Sequence, residues 1–78
     1  MPTVAKIGPY RFFFYSNEND EPPHVHVKQG SSLAKFWLSP VELASSNRFA
    51  AHELREIERI VREWRTRFVE AWDDYFDS

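Results

Sequence analysis

Between positions 51 and 77 the apolar residues Leu54, Ile57, Val61, Trp64, Phe68, Trp72 and Tyr75 recur at spacings of three, four, three, four, four and three. That period draws one continuous stripe down an α-helix, and no glycine or proline interrupts it. A one-sided helix needs an apolar surface to lie on, and the rest of the chain must supply it.

The first 45 residues carry the vocabulary for such a surface. Residues 4–7 and 10–15 flank Gly8-Pro9 and read as two strands joined by a tight turn. Tyr10-Arg11-Phe12-Phe13-Phe14-Tyr15 is almost wholly strand-forming. A polar run from Ser16 to Glu21 makes a loop, and Pro22-Pro23 stiffens the entry into a strand built on His24-Val25-His26-Val27. Gln29-Gly30-Ser31-Ser32 turns the chain back into residues 34–38, and Ser39-Pro40 ends that strand. Residues 41–44 form either a last short strand or the start of a loop. The expectation is an α+β fold: a small, mainly antiparallel sheet of four or five strands packed on one long C-terminal helix. It is a single domain over residues 1–78, β-rich over 1–45 and helical over 51–77.

The hairpin register follows from the pattern. If Lys28 pairs with Leu33, then His26 faces Lys35 and His24 faces Trp37, and opposed residues share a face. One face then carries His24, His26, Lys28, Lys35 and Trp37; the other carries Val25, Val27, Ala34, Phe36 and Leu38. A slip of one residue would destroy this agreement. The valine face reads as core, which leaves the imidazoles on a solvated face.

Seventy-eight residues suffice for one domain with a modest core, here filled with large rings because 17% of the chain is aromatic. There is no cysteine, so disulfides and thiolate metal sites are excluded. A formal net charge of −2 argues against a uniformly basic nucleic-acid binder and leaves room for a local basic patch. No run approaches the roughly 20 apolar residues of a membrane span. The N-terminus lacks the charged-then-apolar pattern of a signal peptide. The expected setting is the cytoplasm.

Histidine titrates nearest neutrality, so the pair His24 and His26 invites a chemical reading. As acid and base they would serve a phosphodiester, with Arg11, Lys28 and Lys35 on phosphate and Trp37 and the aromatic run at 10–15 stacking a base. Sheet faces with this mixture bind RNA. The competing reading is a solvated sheet whose lysines serve solubility. A metal alternative groups Glu21, His24 and His26 around a divalent ion, with Asp20 or His52 as a further ligand; otherwise no cofactor is expected. The third histidine of the histidine-triad hydrolases is absent, since position 28 is Lys28. On the helix, arginines interleave with glutamates in a salt-bridged solvated pattern, Glu58 with Arg62 and Glu63 with Arg67. Asp73, Asp74 and Asp77 oppose the macrodipole at its end.

Such a helix is about 37 Å long, and a strand of five or six residues covers only about 20 Å. Its second half, with Trp64, Phe68, Trp72 and Phe76, is therefore expected to overhang the sheet, covered either by the N-terminal strands or a kink or, the favoured reading, by a second subunit or a partner protein.

Ile7-Gly8, residues 11–15, Glu21-Pro22-Pro23-His24-Val25-His26-Val27, Ala34-Lys35-Phe36-Trp37-Leu38 and the helix from Glu53-Leu54 to Trp72 together resemble a family of small prokaryotic proteins, domain-of-unknown-function family 4160. Members are often encoded beside a small protein of another uncharacterised family, and such pairs are candidate toxin–antitoxin modules. The resemblance thus implies a cognate partner and a toxin role, and it supplies no catalytic residues. Where the family often caps its helix with Ser or Asp, this chain has Ala50-Ala51. The functional expectation is a toxin–antitoxin component, the toxin, acting on RNA or the translation apparatus through the His/Lys/aromatic face. The alternatives are a non-catalytic protein- or RNA-binding module resembling an antitoxin, and a small metal-dependent enzyme.

Overall fold

The computed structural model describes residues 3–15 and 20–76. Five strands, β1 (Thr3–Ile7), β2 (Tyr10–Phe13), β3 (His24–Gln29), β4 (Ser32–Leu38) and β5 (Val41–Asn47), precede one helix, α1 (Ala51–Phe76). The strands pair in chain order, each antiparallel to the next. Residues 16–19, most of the expected polar loop, lie outside the described residues, as does Asp77.

Turn chemistry sets this meander. Gly8 and Gly30, both at φ +59°, occupy the first position of the two-residue loops after β1 and β3. A type II′ turn asks for positive φ there, which a side chain resists. The histidine hairpin adopts the register read from its pattern, with His24 opposite Trp37, His26 opposite Lys35 and Lys28 opposite Leu33. The ambiguous segment after Pro40 is a full strand: β5 pairs along β4 from Leu38 and Val41 to Leu33 and Asn47, with an irregularity between Lys35 and Phe36. Its pattern was weak because only Val41 is buried, and main-chain pairing carries the rest. β2 is shorter than the aromatic run, so Phe14 and Tyr15 leave the ladder.

Phe12, Val25, Val27, Ala34, Phe36 and Leu38 bury one face of the sheet against Ile57, Ile60, Val61 and Phe68 of α1. Removing this apolar surface from water is the main source of stability. Ile60 joins the buried stripe, and Tyr75, expected at its end, is 42% exposed. Polar ties fix the helix position. Tyr10 donates to Glu56 at 2.6 Å, and Arg65 donates from Nε to the Leu38 carbonyl at 2.6 Å and from a terminal nitrogen to Ser39 Oγ at 3.0 Å. Burial pushes the Tyr10 phenol up to about 12, and the hydrogen bond and charge of Glu56 add to the effect. With no Ser or Asp at the cap, Glu53 accepts the Ala50 N–H at 2.8 Å, which is half of a capping box. Along the exposed face Glu58 pairs with Arg62 as expected, whereas Glu63 takes Arg59 and Arg67 lies over the Trp64 ring.

The overhang is largely closed from within the chain. Phe14, just past β2, packs edge-on against Trp72 at 5.3 Å and lies 6.0 Å from Phe76, while Phe12 meets Phe68 at 5.2 Å. Phe68 and Trp72 are consequently 1% and 6% exposed, which corrects the expectation that all four aromatics await a second chain. Trp64 and Phe76 remain half-buried.

Candidate functional site

The sheet face away from the core is not bare. β3 is the central strand, so His24 and His26 rise between neighbours on both sides, and those neighbours are large. His26 stacks on Phe13 at 5.5 Å and receives the Tyr15 ring edge-on at 4.4 Å. His24 sits 5.1 Å from His26, 5.6 Å from Trp37 and 4.8 Å from Trp72, which reaches around the end of the sheet. His24 is 0% and His26 6% exposed, so the expectation of solvated imidazoles is corrected. Two rings from the strand flank, one from β4 and one from α1 box them in. The apolar alternation of β3 gave no sign of this second cover.

The ring atoms are also engaged. His24 Nδ1 lies 3.0 Å from the Pro22 carbonyl oxygen, which can only accept, so Nδ1 carries the proton there. Glu21 Oε1 is 3.8 Å from the same nitrogen and accepts from Lys35 Nζ at 2.6 Å. Lys35 also stands 4.5 Å over the Trp37 ring. Two expected ligand-contacting groups, Lys35 and Trp37, are thus occupied by each other and by Glu21 and His24. Among the described residues no three His, Asp or Glu side chains are grouped to hold one metal ion. His52 and Asp20 are exposed.

Farther toward the Gly8 and Gly30 turns the face changes character. Arg11 lies directly opposite Lys28 across β2 and β3, and Lys6 lies directly opposite Arg11 across β1 and β2. Three cations therefore stand side by side on three adjacent strands, at a strand spacing of about 4.8 Å. None of the three makes an ion pair with a described residue. The Arg11 guanidinium lies 5.2 Å over Phe13, and its Nε is buried without a hydrogen-bond partner among the described residues. Next to this row is a hollow of about 430 Å³ lined by Phe13, Tyr15, Lys28, Leu33 and the Gly30-Ser31 loop.

Arg11 and Lys28 lie opposite each other in the ladder, and Lys35 and Trp37 belong instead to the aromatic box. Sequence reasoning missed Lys6. The two-residue turn at Gly8-Pro9 was the signal, because counting back from it sets Lys6 against Arg11.

The chain belongs to the family described as a domain of unknown function, DUF4160, whose model matches residues 10–73. β1, with Lys6, and the last residues of α1 lie outside the match. No curated protein and no solved structure matches the chain. Among the described residues, no helix is long and apolar enough to cross a membrane.

Proposed function

We propose that this chain binds RNA through the outer face of its sheet, without cleaving it, as the toxin of a two-gene toxin–antitoxin module in the cytoplasm. The observation that carries the reading is the row Lys6, Arg11 and Lys28. Like charges directly opposed across strands are destabilising, so such a row is a cost to the free fold. Guarding a sheet edge with lysine would account for Lys6 on β1 and not for Arg11 and Lys28 on interior strands. A phosphate backbone removes the repulsion. The adjoining hollow offers Phe13 and Tyr15 to an unstacked base, the pairing of cation and ring that single-strand binders use.

Catalysis by the histidine pair is the weaker reading. An acid–base group must reach the proton that it moves, and His24 is sealed beneath Trp37 and Trp72. The imidazoles act as framework for the face. Membership of a two-gene module, with a cognate small protein as partner, is supported by the family alone.

Fluorescence anisotropy with a labelled single-stranded RNA tests the reading. Three phosphate contacts give a slope of log K against log salt of about −2, at roughly −0.7 per contact. Arg11→Glu with Lys28→Glu should flatten that slope and weaken binding at every salt concentration. RNA cleavage would restore a catalytic reading; binding that is absent at low salt, or unaffected by the two reversals, would end the proposal.

A further inference from the structure

The sheet has two open edges, and they differ. β5 is exposed beyond Val41 and ends in the polar run Ser45, Ser46 and Asn47, with no hollow beside it among the described residues. β1 instead borders an apolar hollow of about 450 Å³, lined by Thr3, Val4, Phe14, Ala71, Asp74 and Tyr75. The hollow exists because α1 lies over β3, β4 and β5 and reaches β1 only near its own last turns. Val4, Ala5 and Ile7 are accordingly half-buried, and Tyr75 is 42% exposed.

Charge at this place is one-sided. Asp73 and Asp74 sit in the closing turns of α1, Asp74 on the wall of the hollow, and the last turn has no basic residue. Helix C-termini already carry partial negative charge, so these carboxylates raise it further. A cation from outside the chain relieves it. The outer edge of β1 adds unpaired backbone donors and acceptors, since β1 pairs only with β2 among the described residues.

We propose that the β1 edge and this hollow receive an extended segment of another polypeptide, added as a further strand, with small aliphatic side chains at alternate positions and a Lys or Arg at one end. Backbone pairing supplies affinity, and the alternate side chains entering the hollow supply specificity. The terminal cation meets Asp74 and sets the direction of the segment. The proposal does not rest on the RNA reading, which concerns the other face of the sheet and shares with this edge only Lys6 of β1.

Two blocked peptides serve as probes, Lys-Val-Thr-Val-Thr-Val and its reverse, titrated into the isotopically labelled full chain while amide shifts are followed. One of them should move residues 3–7 and 71–75 together and leave β5 in place. Replacing its Lys by Glu should weaken binding about fivefold, the scale of one exposed ion pair. The Asp74→Lys variant, altered at an exposed position, should reverse that preference and favour the Glu peptide. Equal shifts along both edges, or none at millimolar peptide, would overturn the proposal. So would concentration-dependent shifts of β1 without peptide, which would make a second copy of this chain the occupant.

Discussion

Replacing His24 by alanine separates a framework histidine from a solvated one. The side chain is wholly buried among His26, Trp37 and Trp72, and its Nδ1–H is held by the Pro22 carbonyl. Truncation leaves a cavity under rings that cannot collapse freely, and such losses run to about 2–5 kcal/mol. The lost hydrogen bond leaves the Pro22 oxygen unserved by this ring and contributes on the order of 1 kcal/mol. These sum to about 3–6 kcal/mol, and the lower end, near 3 kcal/mol, is expected because a polar imidazole loses less transfer free energy than the aliphatic and phenyl side chains that set the upper end. A domain of this length has a stability of about 4–12 kcal/mol, at roughly 0.05–0.15 per residue, so the variant survives at a clear cost. Its melting temperature should fall by about 12–24 °C, at roughly 4–8 °C per kcal/mol in a domain this small. Thermal and urea unfolding followed by circular dichroism and tryptophan fluorescence provide the measurement. Lys28→Ala, on the same strand and face but exposed, is the control and should stay within about 0.5 kcal/mol. A His24→Ala variant as stable as that control would refute the aromatic box.

Other expectations follow from the ties between helix and sheet. The Tyr10 phenol is raised from 10.0 to about 12 chiefly by burial, then by Glu56. Because the folded value lies above the unfolded one, this group's contribution is complete below pH 10 and is lost as pH rises through about 12. An alkaline absorbance titration should show Tyr10 ionising late, and Tyr10→Phe should abolish that phase. Arg65→Ala removes two hydrogen bonds to the β4–β5 turn, one on a carbonyl, and should cost about 1.5–3 kcal/mol in urea unfolding. Glu53→Ala removes the half capping box and should cost about 0.5–2 kcal/mol, with fraying visible as faster amide exchange at the start of α1.

Much of the fold was legible because two periods were clean. The stripe from Leu54 and the alternation through Val25 and Val27 each mark one face, and together they demand two layers. The hairpin register was legible for the same reason, since His24 opposite Trp37 is the pairing that keeps Phe36 and Val25 inside. β5 was not, because Ser45, Ser46 and Asn47 bury nothing and are held by backbone pairing, to which side-chain pattern is blind. The burial of His24 and His26 was hidden for another reason. A strand's alternation tells which side chains share a face and says nothing about what covers that face. Here the cover comes from Phe13 and Tyr15 beside β3 and from Trp72, distant in sequence. Trp72 can reach that far because Phe14, placed beyond the ladder, supports it. Of the cationic row, Arg11 and Lys28 were legible from residue type, while Lys6 required the register across Gly8-Pro9.

The location of RNA on the molecule is the decisive observation. Chemical-shift mapping of the labelled chain, titrated with a short single-stranded RNA at low salt, reports it residue by residue. The largest changes should fall on Lys6, Arg11, Phe13, Tyr15 and Lys28, with the helix arginines Arg55, Arg59 and Arg62 unmoved. Changes confined to those arginines, or no changes at all, would contradict an RNA-binding sheet face.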